Sequence, residues 1–309
     1  MIKSCVFLVA ALASMGAQAG VIDLGSIMGG ANVYTTGNFN AYSSDVEGAI
    51  VAGGDVTIQG YAVNLKNRPA FARHAIVAGG NISLTSGTIH NAPVYAGKTV
   101  SMTSAEPPPR STVNPIDFNA ASRQFADIAA GLSVIDKTGT ILRQDSANKV
   151  IGSGKGGVDI FNVSAAFLSG GDNWVLEGLT KGQTLIFNIS GEHGVFNGGM
   201  ETLWGYNVLF NFFEASTVDV KGVLGSVLAP HATVVHNWGV IKGQVIADSW
   251  ESSVQVDAEN YFKSVDVPGF ELVDNNPPVD TPTEVPEPGT LVLMMAGLLG
   301  GIAMRRRRA

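Results

Sequence analysis

Cysteine is almost absent from the chain, which has a single one, Cys5, among 309 residues. Cys5 lies in an N-terminal segment that we expect to be removed, so the mature chain would carry no thiol. Disulfides and cysteine-ligated metal sites are thereby excluded from the folded part. A lipid-modified cysteine is also excluded, because it would have to end the N-terminal apolar run, and Cys5 stands at its beginning. The fold must therefore be stabilised by packing.

Charged residues are scarce as well, at 15% of the chain. There are 19 lysines and arginines against 26 acidic residues. Without Lys3 and the four terminal arginines, which lie in segments expected to be removed, 14 basic residues remain and the net charge falls to about −12. A negative charge of this size disfavours nucleic acids and anionic lipids as partners. We therefore expect no nucleic-acid partner.

The N-terminus has the features of a secretory signal peptide. Lys3 precedes a short apolar run, which closes on the small residues Ala17 and Ala19 that signal peptidase recognises. The run is shorter than the ~20 residues that a membrane-spanning helix needs. We therefore predict that signal peptidase cleaves between Ala19 and Gly20 and removes residues 1–19.

The C-terminus combines several elements in order. Residues 274–285 are rich in proline and acidic residues, which is typical of an extended spacer. The motif Pro286, Glu287 and Pro288 follows, and then an apolar segment over residues 290–304. The chain closes with the cluster Arg305, Arg306, Arg307 and Arg308 before its last residue. An apolar segment followed by arginines acts as a stop-transfer device, because arginines resist crossing the membrane.

The motif, the apolar segment and the arginine cluster together resemble the PEP-CTERM tail, which would span residues 286–309. The resemblance implies that an exosortase, a membrane-embedded cysteine transpeptidase, recognises the motif and removes the tail in bacteria that make exopolysaccharide. It also implies transient anchoring in the inner membrane before the protein reaches the cell surface, the outer envelope or the medium. A plain C-terminal transmembrane anchor is the alternative.

An internal repeat runs through the region between the two ends. Each copy consists of a short strand, a tight corner and a second short strand, with glycines that would allow the positive φ of a sharp corner. The spacing from Ile76 to Val94 in one pair of copies equals the spacing from Gly225 to Gly243 in another. Equal spacing indicates one coil of a β-solenoid per repeat. The five copies begin at Gly48, Ala75, Val94, Gly225 and Gly243.

One segment has helical rather than β periodicity. From Asp117 to Ser133, apolar residues recur every three or four positions, and Asp117 is placed to cap the first turn. We expect one amphipathic helix that packs along the solenoid. The predicted fold of residues 20–273 is thus mainly β, a parallel β-solenoid (β-helix) with a single amphipathic helix alongside.

Four segments resemble the choice-of-anchor A domain, a bacterial surface domain that different species attach through different C-terminal anchors. The resemblance covers about residues 21–265. It implies an adhesin-like β-helical domain and supplies no catalytic residues. The four segments are residues 34–39, 44–48, 228–230 and 243–247.

No motif for catalysis, a cofactor or a metal is present in the sequence. Asp45, Glu47 and Asp55 lie near the first corner, but their spacing is not that of an EF-hand loop. Residues 152–157 resemble a phosphate-binding loop only superficially and predict a turn. The histidines form no HExxH pair, so we expect no metal site. No serine lies in a GxSxG motif and no carboxylate pair stands out as acid and base, so we expect no enzyme. They are His74, His90, His193, His231 and His236, the last two of which flank one predicted strand.

Aromatic residues concentrate in the second half, where they either fill the core or form a carbohydrate-stacking face. They include Trp174, Trp204, Tyr206, Phe210, Phe212, Phe213, Trp238 and Trp250. We predict an exported structural or adhesive module of the extracellular polysaccharide or biofilm matrix, with a polysaccharide or cell-surface ligand. One alternative is a carbohydrate-active β-helix enzyme. Another is a solenoid of the ice-binding type, which would need regular threonine ladders that the sequence does not display.

Overall fold

A computed structural model describes residues 19–171 and 173–271 of the chain. The chain divides into two units, residues 1–273 and 274–309, and every described residue belongs to the first. The predicted signal peptide up to residue 18, with Ala17, lies outside the described residues. So do the spacer, the motif of Pro286 to Pro288 and the arginines from Arg305 to Arg308. None of the described helices is long and apolar enough to cross a membrane.

The described residues form short strands and few helices. The strands are β1 (Ala19–Ile22), β2 (Val33–Thr35), β3 (Phe39–Tyr42), β4 (Asp45–Val46), β5 (Ile50–Ala52), β6 (Val56–Val63), β7 (Ile76–Ala78), β8 (Ile82–Ile89), β9 (Val94–Ala96), β10 (Val100–Thr103), β11 (Arg110–Ser111), β12 (Thr140–Gln144), β13 (Ala147–Ile151), β14 (Val158–Ser164), β15 (Asn173–Glu177), β16 (Thr184–Ser190), β17 (His193–Phe196), β18 (Asn207–Asn211), β19 (Thr217–Val220), β20 (Gly222–Leu224), β21 (Ser226–His236), β22 (Val240–Lys242), β23 (Val245–Ser252), β24 (Gln255–Asp257) and β25 (Val265–Pro268). The helices are α1 (Leu24–Ile27), α2 (Phe118–Ser133), α3 (Ala165–Ser169) and the 3₁₀ helix Glu201–Leu203.

Most of the strands stack in parallel into the three faces of a β-solenoid. The first face has the order β14, β16, β18, β21, β23, β2, β5, β7, β9, β11. The second has the order β17, β19, β21, β23, β3, β6, β8, β10. The third has the order β20, β22, β24, β4, β6, β8. The predicted mainly β, parallel solenoid is confirmed.

The spacing of the repeats corresponds to the coils. Ile76 pairs with Val94, and Val227 pairs with Val245, so these two coils have the same length. Other coils are longer, as in the pairing of Ile50 with Ile76, because their corners carry inserted loops. The repeat therefore identifies the coils, and its variable spacing reflects the loops between them.

The order of the coils in space differs from their order in the chain. The first-half coils, β2 to β11, run from the middle of the solenoid to one end. The chain then returns through α2, and the second-half coils, β14 to β24, run from the other end back to the middle. As a result β23 pairs with β21 of its own half and with β2 and β3 of the other half. We call the contact of β23 and β24 with β2, β3 and β4 the seam.

Helix α2 begins and ends as the sequence predicts. The Asp117 side chain accepts a hydrogen bond from the Ala120 amide at 3.0 Å and caps the first turn. The apolar side of the helix packs on the first face, where the Tyr34 and Phe125 ring centroids lie 4.8 Å apart. Because the solenoid interior lies behind that face, its strands are buried on both sides, as is typical of parallel sheets covered by helices.

A ladder of asparagines joins the first face to the end of α2. Asn162, Asn188 and Asn211 occupy the same register position on three successive coils. The Asn188 side-chain amide donates to the Leu132 carbonyl at 2.7 Å, and that of Asn211 donates to the Ala129 carbonyl at 2.9 Å. Leu132 lies in the last turn, where carbonyls lack a partner within the helix, and Ala129 lies one turn earlier. Together the two bonds fix the position of α2 on the solenoid.

The corner glycines are required because the backbones of neighbouring coils approach closely, and not because the corners need an unusual backbone conformation. None of Gly53, Gly79 and Gly97 has a positive φ, so the predicted reason for these glycines is wrong. A Cβ on Gly79 would lie 2.2 Å from the Gly53 carbonyl oxygen, and one on Gly97 would lie 2.2 Å from that of Gly79. The corners of neighbouring coils stack so tightly that only glycine fits.

Stacked aromatic rings fill the second-half interior. The Phe161, Phe187 and Phe210 rings follow one another with centroid distances of 4.9 and 5.2 Å. Trp174, on a small sheet formed by β12, β13 and β15, meets Phe187 edge-on at 5.4 Å. Tightly packed rings of this kind bury large apolar areas. They stabilise the second half in the absence of disulfides.

Candidate ligand-binding groove

The structure separates the aromatic residues of the second half into two groups. Trp174 and Trp250 are buried in the core, as are Phe210 and Phe212. Trp204 and Trp238, in contrast, expose 51% and 62% of their surface. Core filling thus explains most of the aromatic residues. The two exposed tryptophans are left as candidates for contact with a ligand.

A groove with a volume of about 490 Å³ lies beside Trp204 on the third face. Val223, Leu224 and Val240 contribute apolar lining, and several glycines leave stretches of its wall without side chains. The charged residues of the lining are Glu201, Lys221 and Lys242. Its volume is within the range of ~300–1,000 Å³ found for clefts that hold small ligands.

Parallel pairing brings the two lysines to the same groove. Gly222 pairs with Val240, and Leu224 pairs with Lys242, across β20 and β22. Lys221 directly precedes β20, so it lies next to the start of β22. Neither lysine stands out in the sequence. The recurring coil length is the signal that places the two strands, and hence both lysines, side by side.

The burial of Leu203 and the contacts of Lys181 hold the loop that carries Trp204 in place. Leu203, the last residue of the 3₁₀ helix, is fully buried. The Lys181 ammonium donates to the carbonyls of Thr202 and Trp204, and it lies 4.4 Å from the Tyr206 ring centroid. These contacts fix the backbone on both sides of Trp204. The indole is therefore exposed on a fixed support, which lowers the entropy cost of binding.

The electrostatics of the groove are set by two lysines with different surroundings. The Lys242 ammonium lies 5.7 Å from the Trp204 ring centroid and 3.8 Å from a Glu259 carboxylate oxygen. The Lys221 side chain has no hydrogen-bond or ion-pair partner among the described residues. An indole face can stack on a sugar ring, and ammonium groups beside it can donate hydrogen bonds to the substituents of the ring.

The histidines are spread over the molecule. His74 is buried, and both of its ring nitrogens lack a partner among the described residues; burial and the neighbouring Arg73 lower its pKa. The placement of His231 and His236 on either side of a strand is wrong, because both lie within β21. The Nδ1 of His236 is 2.8 Å from an Asp219 oxygen. His90 and His193 lie in other coils.

The carboxylates near the first corner do not converge. The Asp55 carboxylate accepts a hydrogen bond from the Asn81 amide at 2.7 Å, and this bond lowers the pKa of Asp55. Asp45 and Glu47 lie instead at the seam, near Asp257 of the last coil. Burial, and to a smaller extent the Glu47 charge, raise the pKa values of Asp45 and Asp257. No group of three potential metal ligands occurs in residues 19–171 and 173–271.

Residues 152–157 form a loop, as the sequence predicts, and Asp159 anchors it. The Asp159 carboxylate accepts hydrogen bonds from the Ser153 amide at 3.1 Å and from the Gln183 side chain at 2.6 Å. Burial raises the pKa of Asp159, but these hydrogen bonds and one from Thr138 outweigh it, so the pKa is lowered. The loop leads into strand β14 rather than a helix, so it lacks the geometry of a phosphate-binding loop.

Residues 25–258 match the family described as "Putative Ice-binding-like adhesive domain". The chain belongs to this family. The matched residues contain both halves of the solenoid, helix α2 and the groove beside Trp204. Residues 284–308 match the PEP-CTERM protein-sorting motif. No curated protein and no solved structure matches the chain.

The two matches define what the protein is at a coarse level. It is an exported adhesive protein, which is sorted to the cell surface through a PEP-CTERM motif that an exosortase processes. The match to the ice-binding-like adhesive family covers the region that resembles the choice-of-anchor A domain, and that finer resemblance stays a prediction.

Proposed function

We propose that the protein attaches to extracellular polysaccharide through the groove beside Trp204. The observation that carries the proposal is the half-exposed Trp204 indole on a fixed loop, next to a cleft with glycine walls. Exposed tryptophans that do not fill a core mark interaction sites, and an indole offers a flat apolar face for a sugar ring. The protein would then act as an adhesive component of the polysaccharide or biofilm matrix.

A non-enzymatic role is supported by the lining of the groove. Enzymes that cleave glycosidic bonds use a pair of carboxyl groups on opposite sides of the bond. Glu201 is the only carboxylate among the described lining residues. A glycoside hydrolase, one form of the enzymatic alternative, would need a second carboxyl group, which the described lining residues do not include.

The surface of the second face does not favour the ice-binding alternative. Thr57, Ser83 and Ser101 stack in register on three first-half coils. The same ladder continues as Asn40 and Glu251, whose side chains hydrogen-bond to each other at 2.5 Å. A second ladder on this face, Thr217, Thr233 and Ser249, covers three second-half coils and is preceded by His193. Neither ladder extends beyond three coils, so the face lacks the regularity that such a solenoid needs.

We further propose a processing route for the two ends of the chain. Signal peptidase would cleave between Ala19 and Gly20, and β1 would keep Gly20 to Ile22 paired with β25. The adhesive domain, of choice-of-anchor A type, would comprise residues 20–273, with residues 274–285 as its spacer. Exosortase would act at residues 286–288 while residues 290–304 and the arginines from 305 to 308 hold the chain transiently in the inner membrane. Release to the outer envelope or the medium would follow.

The binding proposal is tested with the exported protein and a panel of immobilised polysaccharides. Trp204→Ala should weaken binding more than about tenfold, because a stacking tryptophan at the centre of a site contributes strongly. Trp238→Ala is the comparison, since it removes the other exposed indole, which adjoins the lining residue Gly239 in the chain but is not itself part of the lining. Equal binding by wild type and Trp204→Ala would refute the proposal. Newly formed reducing ends in the bound polysaccharide would favour the enzyme, and depression of the freezing point would favour the ice-binding alternative.

The processing proposal is tested by replacing residues 286–288 with alanine. The fold should be unaffected, and the variant should stay in the inner membrane when cells are fractionated and each fraction is blotted. Unchanged surface display or release would mean that the motif does not direct sorting, and a plain membrane anchor would be preferred.

A further inference from the structure

The groove beside Trp204 is less acidic than the chain as a whole, which carries a net charge of −7. Among the described residues, two lysines and one carboxylate line the groove, and the Glu259 carboxylate offsets Lys242. The groove is thus close to neutral, and Lys221 is its one cation without an ion-pair partner among the described residues. A lysine held at a cleft without such a partner suits an anionic ligand.

Lys221 is the residue that most clearly lacks such a partner. The neighbouring Lys242 is partly compensated by Glu259, whose carboxylate lies 3.8 Å away. Lys181 donates to backbone carbonyls and supports the loop. Lys221, in contrast, has no side-chain partner among the described residues and is only partly exposed. Its ammonium group is therefore available to a ligand in the groove.

We propose that the groove binds a carboxylated polysaccharide, a chain of uronate sugars, and this rests on the proposed adhesive function. A uronate ring has an apolar face that stacks on the Trp204 indole and a carboxylate at its edge. The edge carboxylate pairs with Lys221, while Lys242 beside the indole adds a second, weaker attraction. The glycine walls leave room for a polymer to enter and leave the groove along its length.

The chemistry of the groove distinguishes carboxylates from other anions. A lysine pair on one side of an aromatic platform suits one negative charge per ring. A sugar with several sulfates per ring carries more charge than Lys221 and the partly compensated Lys242 can neutralise. A neutral sugar would stack on Trp204 but leave Lys221 unpaired. The structure thus favours a polyuronate over both.

Binding of the exported protein to a polyuronate, a sulfated dextran and a neutral dextran tests the inference. The polyuronate should bind most tightly and should weaken as salt is added, because salt screens exposed charges. Lys221→Gln should weaken polyuronate binding by about threefold to fivefold, the range of an exposed ion pair, and leave binding to neutral dextran unchanged. Lys98→Gln, which removes the same charge from the other half of the solenoid, should have no effect.

The possible results distinguish a failure of this inference from a failure of the adhesive function on which it rests. If the neutral or the sulfated polymer binds as tightly as the polyuronate, and Trp204→Ala still abolishes binding, the carboxylate preference is wrong and the adhesive groove stands. Equal polyuronate binding by Lys221→Gln and Lys98→Gln would also overturn the preference. If no polymer binds in a manner that depends on Trp204, both the inference and the proposed function fail.

Discussion

Trp250 closes the seam between the two halves of the solenoid. It lies on β23 of the last coil and is fully buried. Its ring stacks on that of Phe39 from the first coil, with centroids 5.3 Å apart and planes at 17°. Its indole nitrogen donates to the Ser252 carbonyl at 2.9 Å. This single side chain therefore joins segments from opposite ends of the domain sequence.

Removing the indole should destabilise the whole domain. Trp250→Ala deletes a large, fully buried ring, and such changes cost about 3–5 kcal/mol. Trp250→Phe keeps the stacking on Phe39 but loses the hydrogen bond and some volume, so we expect about 1–2 kcal/mol. Trp238→Ala removes an exposed indole and should change stability by less than about 0.5 kcal/mol.

The free energy of unfolding is measured by urea denaturation followed by circular dichroism. The three variants should rank with Trp250→Ala least stable, then Trp250→Phe, and Trp238→Ala close to the wild type. A Trp250→Ala protein within about 1 kcal/mol of the wild type would contradict the role of the seam. Destabilisation by Trp238→Ala as large as that by Trp250→Ala would also contradict the role of the seam.

Three further predictions concern stability, and each is measured by urea denaturation. Asn211→Ala should cost about 1–3 kcal/mol, because it removes two buried hydrogen bonds, one to the Ala129 carbonyl and one to the Asn188 side chain, each of which contributes about 0.5–1.5 kcal/mol. Gly79→Ala should cost at least about 1–3 kcal/mol, because its Cβ would meet a backbone oxygen at 2.2 Å, whereas Gly25→Ala, with its nearest atom at 3.6 Å, should be nearly neutral. Asp257→Asn should stabilise the protein at pH 7 by less than about 1 kcal/mol and should have no effect below about pH 3.9. The reason is that burial and a neighbouring carboxylate raise the pKa of Asp257 in the folded state, so the wild type loses stability as the pH rises through that pKa. Asp266→Asn, which removes an exposed carboxylate from β25, is the matched control.

The parts of the fold that depend on local pattern could be predicted from the sequence. The recurring strand and corner segments identify the coils, because each coil repeats the same chemistry at the same corner. Helix α2 could be placed because a capping Asp117 precedes a regular apolar side. Both signals lie within a short window of the chain, where periodicity is informative.

The parts that depend on distant pairing could not be predicted. Nothing local to β2 or β23 indicates that these strands pair across the seam, since one lies near the start of the domain sequence and the other near its end. The close stacking of Gly53 and Gly79 requires the coils to be in register before the reason for the glycines becomes visible. The asparagine ladder likewise becomes apparent only when three coils are aligned beneath α2.

The candidate site was predictable only in part. The sequence identifies Trp204 as one of many aromatic residues, but burial alone separates it from Trp174 and Trp250. The convergence of Lys221 and Lys242 depends on the pairing of β20 with β22. The alignment of these strands follows from the coil length, so aligning the repeats by register could have found the lysines.

The claim that the Trp204 groove is the adhesive site is tested most directly by a nuclear magnetic resonance titration of the exported protein, labelled in its four tryptophans. Each indole N–H gives one resonance, which single substitutions assign to its residue. On addition of a uronate oligosaccharide, we expect a saturable shift of the Trp204 resonance while those of the buried Trp174 and Trp250 stay in place. A Trp204 resonance that does not move, or a shift confined to Trp238, would contradict the claim.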